Sequence, residues 1–388
     1  MPCAAGMSLA QAVRAASSQL AAAGIASPRS DAQALLAHVL GLDAVDFHTR
    51  LVTDTSAMAA ADLACYQQLL DRRCARQPLQ HITGLAHFRH LTLQVGPGVF
   101  VPRPETELVA GQAIDYAQQL TRPTLVDLCT GSGAIALSVA SEVAGAQVYA
   151  VELDASAYTW TVRNVDSTAS QWAAGSQVHV VKGDARTALD FLDGQVDVVV
   201  SNPPYIPPGA VPQDAEVRLH DPQVALYGLG SDGLEVPRGI ARAAARLLAP
   251  GGLFVMEHAE VQAQAARDML AQLPDPIGGQ PAFTHIATEC DLTGRPRMVL
   301  ARRAGSRQPV QASENMASAN NATDNSATDK VASDSMASGL LASATTASAS
   351  DTTTSATTTS AGRQLADDAG TSGIFPQPGG QSVAGYRA

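Results

Sequence analysis

Two stretches of this chain carry residue types whose spacing could do chemistry. Val196-Asp-Val-Val-Val-Ser-Asn-Pro-Pro-Tyr-Ile-Pro-Pro208 runs from a continuous apolar segment into a loop with four prolines among its last six residues. Prolines hold φ near −65° and bring carbonyls without N–H donors, so Asn202-Pro-Pro-Tyr205 is a stiff acceptor surface. The Asn202 side-chain oxygen and the Pro203 carbonyl can each accept a hydrogen bond from one NH2 group, with the Tyr205 ring packed against the planar group that carries it. An amide or aryl NH2 has a delocalised lone pair and is a poor nucleophile. Two directed acceptors favour the geometry in which that lone pair becomes available, and alignment with an electrophile at roughly 3–3.5 Å completes the requirement. No strong base is needed before attack, because the nitrogen becomes acidic as it gains a substituent. Alone, the same four residues would make a rigid turn, so their meaning depends on what lies opposite.

The second stretch is Thr124-Leu-Val-Asp-Leu128 followed by Cys129-Thr-Gly-Ser-Gly-Ala-Ile-Ala136. Glycines after an apolar strand give a tight turn that brings backbone N–H groups to a ligand at a helix N-terminus. About twenty residues later the strand QVYAV ends at Glu152, placed to accept hydrogen bonds from ribose hydroxyls. Together they imply an adenosine-containing cofactor. Spacing of the Gly-x-Gly-x-x-Ala kind fits a dehydrogenase equally well. The acid on the strand itself, in Asp127-x-x-x-Gly131-x-Gly133, instead suits S-adenosylmethionine, whose charged amino group wants a carboxylate where a dinucleotide presents pyrophosphate.

These loops need a scaffold. From Thr124 onward the strands TLVDL, QVYAV, QVHVV, VDVVV, GLFVMEH, THIATE and RMVLA alternate with helix-like segments such as AIALSVA, SAYTWTVRNV, LEVPRGIARAAARLL and VQAQAARDMLAQL. Near-continuous apolar strands separated by helices predict a mostly parallel seven-stranded sheet covered on both faces. Ligands in such sheets bind beyond the carboxyl ends of the strands, so Asn202 to Tyr205 should face the cofactor. Pro250-Gly-Gly252 is expected to end the long helix before its next strand. Ahead of this region, Leu9, Val13 and Leu20, then Leu35, Leu36, Val39 and Leu40, then Leu63, Tyr66, Leu69 and Leu70 recur at helical spacing. A small helical domain follows, its second helix capped by Ser30 or Asp31 and closed by Gly41. In Phe88–Val101 the alternating pattern broken by Gly96-Pro97-Gly98 reads as a hairpin joining two domains. After about Ala304 the composition collapses into Ala, Ser, Thr and Asn, which buries too little apolar area to offset ordering entropy and reads as disordered.

With 388 residues, 46% hydrophobic and 16% charged, the chain can bury a large core. A net charge of −11 argues against broad binding to phosphate backbones. Only Lys182 and Lys330 are lysines, so nearly all positive charge is arginine. Five scattered cysteines without a Cys-x-x-Cys pair indicate neither a disulfide framework nor a zinc site and fit a reducing cytoplasm. The N-terminus lacks a basic region followed by an apolar run, and no stretch of about 18 uncharged apolar residues occurs elsewhere, so neither export nor membrane insertion is expected.

The sequence resembles the release factor glutamine methyltransferases from about Leu9 to Arg302, roughly three quarters of the chain. The markers are PLQHITG at 78–84, FRHLTLQVGPGVFVPRPETE at 88–107, DLCTGSGAIAL at 127–137, SNPPYIP at 201–207 and DLTGRPRMVLA at 291–301. Asn-Pro-Pro-Tyr is shared with many adenine and RNA amino-methyltransferases; Val101-Pro-Arg-Pro-Glu-Thr-Glu107 with a helical N-terminal domain is far more specific. The resemblance implies a Rossmann-like class I fold and transfer of a methyl group from S-adenosylmethionine to N5 of the glutamine in the Gly-Gly-Gln motif of class I peptide-chain release factors, modulating translation termination. It divides the chain into a helical substrate-recognition domain at 1–85, a hairpin linker at 86–103, a methyltransferase domain at 104–303 and a tail at 304–388. Asp127, Cys129, Thr130, Gly131, Ser132, Gly133, Glu152, Asp184, Ala185 and Asn202 would bind the cofactor, with Asp184 or Ala185 by the adenine. Asn202, Pro203 and Tyr205 would act in catalysis, and Asn202 to Tyr205 would hold the glutamine. Arg103 and Glu105, with Glu107, either line the peptide-access face or merely start a helix at Pro104 with acids favourable to its dipole. Arg295 and Arg297 read as structural or partner-facing. No metal, nucleic acid or membrane is expected, and the active form is expected to be a cytoplasmic monomer.

Three other functions compete. An adenine methyltransferase would share Asn202 to Tyr205 and flip its base into the same pocket, but the extra domain here has few clustered positive charges. A dehydrogenase leaves Asn-Pro-Pro-Tyr unexplained, and a non-catalytic release-factor-binding module leaves both loops unexplained. Gly278-Gly-Gln280 and Gly379-Gly-Gln381 repeat the family's target tripeptide; composition accounts for both, and a pseudosubstrate role for the tail is the alternative.

Overall fold

The computed structural model describes residues 6–305 apart from Ile277. The tail with Gly379-Gly-Gln381, and the reading of it as disordered, lie outside the described residues.

Five helices open the chain: α1 (Leu9–Ala22), α2 (Pro28–Leu40), α3 (Ala44–Thr53), α4 (Ala60–Cys74) and α5 (Leu79–Thr83). The apolar stripes read from the sequence face one another in a core around Leu20, Leu35, Leu36, Tyr66 and Leu70. Tyr66 is fully buried and its hydroxyl donates to the Ala32 carbonyl at 2.7 Å. Gly41 closes α2 in the left-handed conformation at φ 62°. Neither Ser30 nor Asp31 caps α2; the helix starts at Pro28, which sets φ and gives up an N–H that would have no partner there. Asp31 instead turns inward and accepts from Arg73 Nε at 2.7 Å. Two helices escape a search for apolar periodicity. α3 buries only Phe47 and exposes Val45 and Val52, and α5 is too short to show a period.

β1 (Leu85–Phe88) and β2 (Leu91–Gln94) form an antiparallel hairpin. Its turn is Arg89-His90, with Arg89 at φ 50°, and Gly96-Pro97-Gly98 lies beyond the second strand. Those glycines serve close packing: a Cβ on Gly96 would fall 2.6 Å from Trp160 Cζ2.

The remaining elements are α6 (Thr106–Ala117), β3 (Thr124–Leu128), α7 (Ala134–Glu142), β4 (Gln147–Glu152), α8 (Ala155–Thr168), β5 (Gln177–Lys182), β6 (Val196–Ser201), α9 (Ala215–His220), α10 (Gln223–Leu226), α11 (Glu235–Leu247), β7 (Leu248–Glu257), α12 (Ala263–Ala271), β8 (Phe283–Cys290) and β9 (Pro296–Arg303). The seven expected strands form one sheet in the order β5-β4-β3-β6-β7-β9-β8, with β9 antiparallel to both its neighbours and the rest parallel. Side chains alternate between two cores, Leu125, Val198 and Val200 to one face, Val126, Val196 and Val199 to the other, which is why these strands read as unbroken apolar runs. Pro250-Gly-Gly252 does not separate helix from strand: α11 ends at Leu247 and β7 opens at once. The proline and glycines sit inside β7 where its register with β6 shifts between Val196 and Val198, an irregularity that tolerates a missing ladder donor.

Strand order reverses between β3 and β6, which run side by side with Leu128 opposite Ser201. The loops that follow these two strands therefore emerge next to each other at the carboxyl edge of the sheet, and that is where a ligand crevice forms.

Candidate active site

A cavity of about 410 Å³ opens at this reversal. Its wall comes from the loop after β3, the end of β4, residues 184–186 after β5, the Asn-Pro-Pro-Tyr segment after β6, and the stretch around α10. That volume suits a small organic ligand.

On the β3 side the turn requires left-handed backbone at Cys129 (φ 65°), Gly131 (φ 60°) and Gly133 (φ 86°). Four amides at the turn are already engaged. Thr130 N–H donates to Val151 O, Gly131 N–H to Glu152 Oε2 at 2.8 Å, Gly133 N–H to Thr130 O, and Ala136 N–H to Asp127 Oδ2 at 3.1 Å. Asp127 is 1% exposed beneath the loop and also accepts from Thr130 Oγ1 at 2.6 Å, so it ties the turn to the start of α7 without reaching the cavity wall. Burial pushes its carboxyl up to about 7, against the Thr130 and Ala136 bonds. Glu152 does line the cavity; its second oxygen accepts from Asp154 N–H at 2.8 Å, and burial raises its pKa.

Two residues that no motif flagged brace the turn from α8. Thr161 Oγ1 donates to Gly131 O at 2.6 Å. Asn164 donates to Ser132 O and Gln94 O and accepts from Gln94 N–H, joining the turn to β2. A search of the sequence for loop motifs has no means of finding them, because their partners lie on elements distant in the chain.

On the β6 side Asn202, Pro204 and Tyr205 line the cavity and Pro203 is buried behind them. Asn202 Nδ2 donates to Thr106 Oγ1 at 3.1 Å, Thr106 donates to Glu257 Oε2 at 2.7 Å, and the Tyr205 hydroxyl donates to Glu257 Oε1 at 3.4 Å. Thr106 and Glu257 were also not flagged; Thr106 opens α6 and Glu257 ends β7. The backbone of the motif is held by close approach. A Cβ on Gly228 would come 2.7 Å from Pro204 O, and one on Gly233 would come 2.7 Å from Pro207 N. Gln262 Nε2 donates to Tyr205 O at 2.8 Å.

Of the other sequence-predicted residues, Cys129, Thr130, Gly131, Ser132, Asp184 and Ala185 line the cavity, and Gly133 does not. Asp184 pairs with Arg186 at 2.6 Å, which lowers its pKa. Arg103 and Glu105 are absent from the wall. Arg103 stacks over Phe100 and pairs at 2.7 Å with the buried Asp221, next to α9. Burial lifts Asp221 to about 6 in spite of that arginine. α6 begins at Thr106 rather than Pro104, with Glu105 as its N-cap residue and Glu107 in its first turn. α9 is fastened to the N-terminal helices by Glu216, which pairs with Arg73 at 2.7 Å and Arg76 at 2.6 Å. Arg297 is buried against Asp291. Among the described residues no group of three His, Cys, Asp or Glu side chains could hold a metal ion.

Residues 11–84 match the family model for the PrmC N-terminal domain, and residues 80–217 match the model described as conserved hypothetical protein 95. The release factor glutamine methyltransferase of Streptomyces coelicolor is 48% identical over 292 residues, spanning 74% of this chain and 96% of that protein. That of Bifidobacterium longum is 45% identical over 291 residues, spanning 74% and 96%. A solved protein-(glutamine-N5) methyltransferase from Alicyclobacillus acidocaldarius is 23% identical and covers 55% of this chain and 99% of its own, with a TM-score of 0.31. Identity near one half over nearly the full length of both relatives means that the chain belongs to the release factor glutamine methyltransferase family.

Proposed function

We propose that this protein transfers a methyl group from S-adenosylmethionine to the side-chain amide nitrogen of the glutamine in the Gly-Gly-Gln motif of class I peptide-chain release factors. The observation that carries the reading is the meeting, across one cavity, of a glycine turn and the Asn-Pro-Pro-Tyr acceptor loop.

The cavity suits this cofactor better than a dinucleotide. Four of the amides at this turn, those of Thr130, Gly131, Gly133 and Ala136, are spent on carbonyls and on the carboxylates of Glu152 and Asp127, which reduces the donors a pyrophosphate would use. The charged groups in this part of the wall, Glu152, Asp154 and Asp184, are mostly acidic and favour a cationic ligand, with Arg186 tied to Asp184. Glu152 would accept from ribose hydroxyls, and Ile135, Ala185 and Ile240 offer an apolar slot for a flat ring. When bound, S-adenosylmethionine supplies an electrophilic methyl group on sulfonium.

The chain's own residues then act on the nucleophile. Asn202 Oδ1 and the Pro203 carbonyl accept the two N–H bonds of the glutamine amide and Tyr205 packs on its plane, which turns the nitrogen lone pair toward the methyl group. As the N–C bond forms the S–C bond to that methyl group breaks, leaving the neutral thioether S-adenosylhomocysteine, and the nitrogen, now acidic, gives up one proton to water. Access by a protein substrate supports a monomeric active form, and a substrate that serves translation carries a cytoplasmic location. Among the described residues no helix is long and apolar enough to cross a membrane.

Mass spectrometry of a class I release factor incubated with the protein and S-adenosylmethionine tests the reading. A single methyl on the Gly-Gly-Gln glutamine, lost in Asn202→Ala, is the expected result. Methyl appearing in adenine of a nucleic-acid mixture, with none on the factor, would overturn the substrate while keeping the role of Asn202.

A further inference from the structure

Glu257 is a buried carboxylate to which the reaction above gives no task. It is 2% exposed at the end of β7, and its two oxygens reach two side chains of the site: Thr106 at 2.7 Å and the Tyr205 hydroxyl at 3.4 Å. Thr106 in turn lies 3.1 Å from the Asn202 amide. A hydroxyl has one proton. With that proton committed to the carboxylate, Thr106 can only accept from Asn202, so the end of the amide facing it must be the NH2 group. Oδ1 is then the end left to the cavity.

We propose that Glu257 is a positioning residue for methyl transfer: through Thr106, its carboxylate fixes the Asn202 amide with Oδ1 toward the substrate NH2 group. This rests on the function proposed above. Protonation undoes the arrangement. A neutral Glu257 can donate to Thr106 Oγ1, which frees the hydroxyl proton for Asn202 Oδ1, and the flipped amide then presents a donor to a substrate group that is itself a donor.

The groups facing Glu257 are Arg297 from β9, Tyr205 from the loop after β6, and Glu105 ahead of α6, with His258 next in the chain. Burial pushes the carboxyl up to about 7, opposed by the Thr106 bond and Arg297 and reinforced by Glu105. His258 is held below its ordinary value by burial. The two protonation states therefore exchange within the working range of an enzyme.

The test combines kinetics with a direct view of the amide. Turnover of a release factor is followed from about pH 6 to about pH 9 in the wild type, Thr106→Val, Thr106→Ser and Glu257→Gln. In the wild type kcat is expected to fall about tenfold per unit below a midpoint near neutrality. Thr106→Val lowers kcat by about 10- to 100-fold and removes the acid limb, with affinity for S-adenosylmethionine unchanged, and Thr106→Ser restores both. Glu257→Gln removes the limb as well. In parallel, the side-chain NH2 resonance of Asn202, identified by its loss in Asn202→Ala, shifts with the same midpoint in the wild type and stays flat in Thr106→Val and Glu257→Gln. A resonance indifferent to pH in the wild type overturns the proposal, as does a Thr106→Val enzyme with full kcat and an intact limb. The resonance is read without a release factor, so a wild type that methylates no factor defeats the proposed substrate and leaves the test of Glu257 standing.

Discussion

Gly228→Ala is expected to disable turnover while leaving cofactor binding in place. The new Cβ would fall 2.7 Å from Pro204 O and closer still to Gly233 O, where ordinary contact begins at about 3.4 Å. Both neighbours are backbone atoms, so no side chain can rotate aside, and the Pro204 carbonyl must retreat by about 0.7 Å. Gly233 has little room to absorb the movement, because it abuts the backbone of Tyr205, Ile206 and Pro207. A misplacement near 1 Å at a reacting group costs about 10²-fold, so kcat should drop by about 10- to 100-fold. The glycine turn and Glu152, which would hold the cofactor under the proposed function, stand on β3 and β4 away from Gly228, so calorimetric affinity for S-adenosylmethionine should fall far less than kcat and stay inside a decade, about 1.4 kcal/mol. Single-turnover methylation of a release factor, set beside calorimetry, separates the two. A variant that retains full turnover would refute the view that the backbone position of Asn202–Tyr205 is what the glycines protect.

Three further outcomes follow from the same geometry. Asp127 has a folded pKa of about 7 against an ordinary 3.8, so between those values the folded state binds more protons and stability falls as pH rises; Asp127→Asn should flatten the decline of the denaturation midpoint from about pH 5 to about pH 8. Glu152→Gln removes the charge that holds Gly131 N–H and that, under the proposed function, would meet the ribose; it should weaken S-adenosylmethionine binding about tenfold or more by calorimetry, in line with about 1.5–3 kcal/mol for a hydrogen bond to a charged group. Gly111→Ala lies inside α6 with only the Arg89 Nη1 end at 3.5 Å, so equilibrium unfolding should show a gain of about 0.5–1 kcal/mol.

What was legible in the sequence follows a physical divide. The seven strands could be read because each is buried on both faces, which writes an unbroken run of apolar residues into the chain. The glycine turn and Asn-Pro-Pro-Tyr could be read because backbone conformation at those loops is set by residue type: Gly131 and Gly133 take positive φ, and the prolines fix theirs. Local signals failed where a neighbour far along the chain decided the outcome. Asp31 has the side chain of a helix cap, but Arg73, 42 residues away, draws it inward. Gly96-Pro97-Gly98 looks like a hairpin turn, yet what requires the glycines is the ring of Trp160 against Gly96 and Ser156 against Gly98. Arg103 stands in a family motif that names no partner for it; the buried Asp221, 118 residues away, pairs with it.

The sequence by itself determined which loops come together, since a parallel sheet places the loops after β3, β4, β5 and β6 at one edge whatever else surrounds them. Only the tertiary structure decided how those residues are held. Thr106, Asn164, Glu257 and the Gly228–Gly233 loop come from four separate places in the chain, and each acts through a hydrogen bond or a close approach of a few ångströms. Such contacts leave no period or spacing in the sequence, because short-range forces depend on distance in space and not on separation along the chain.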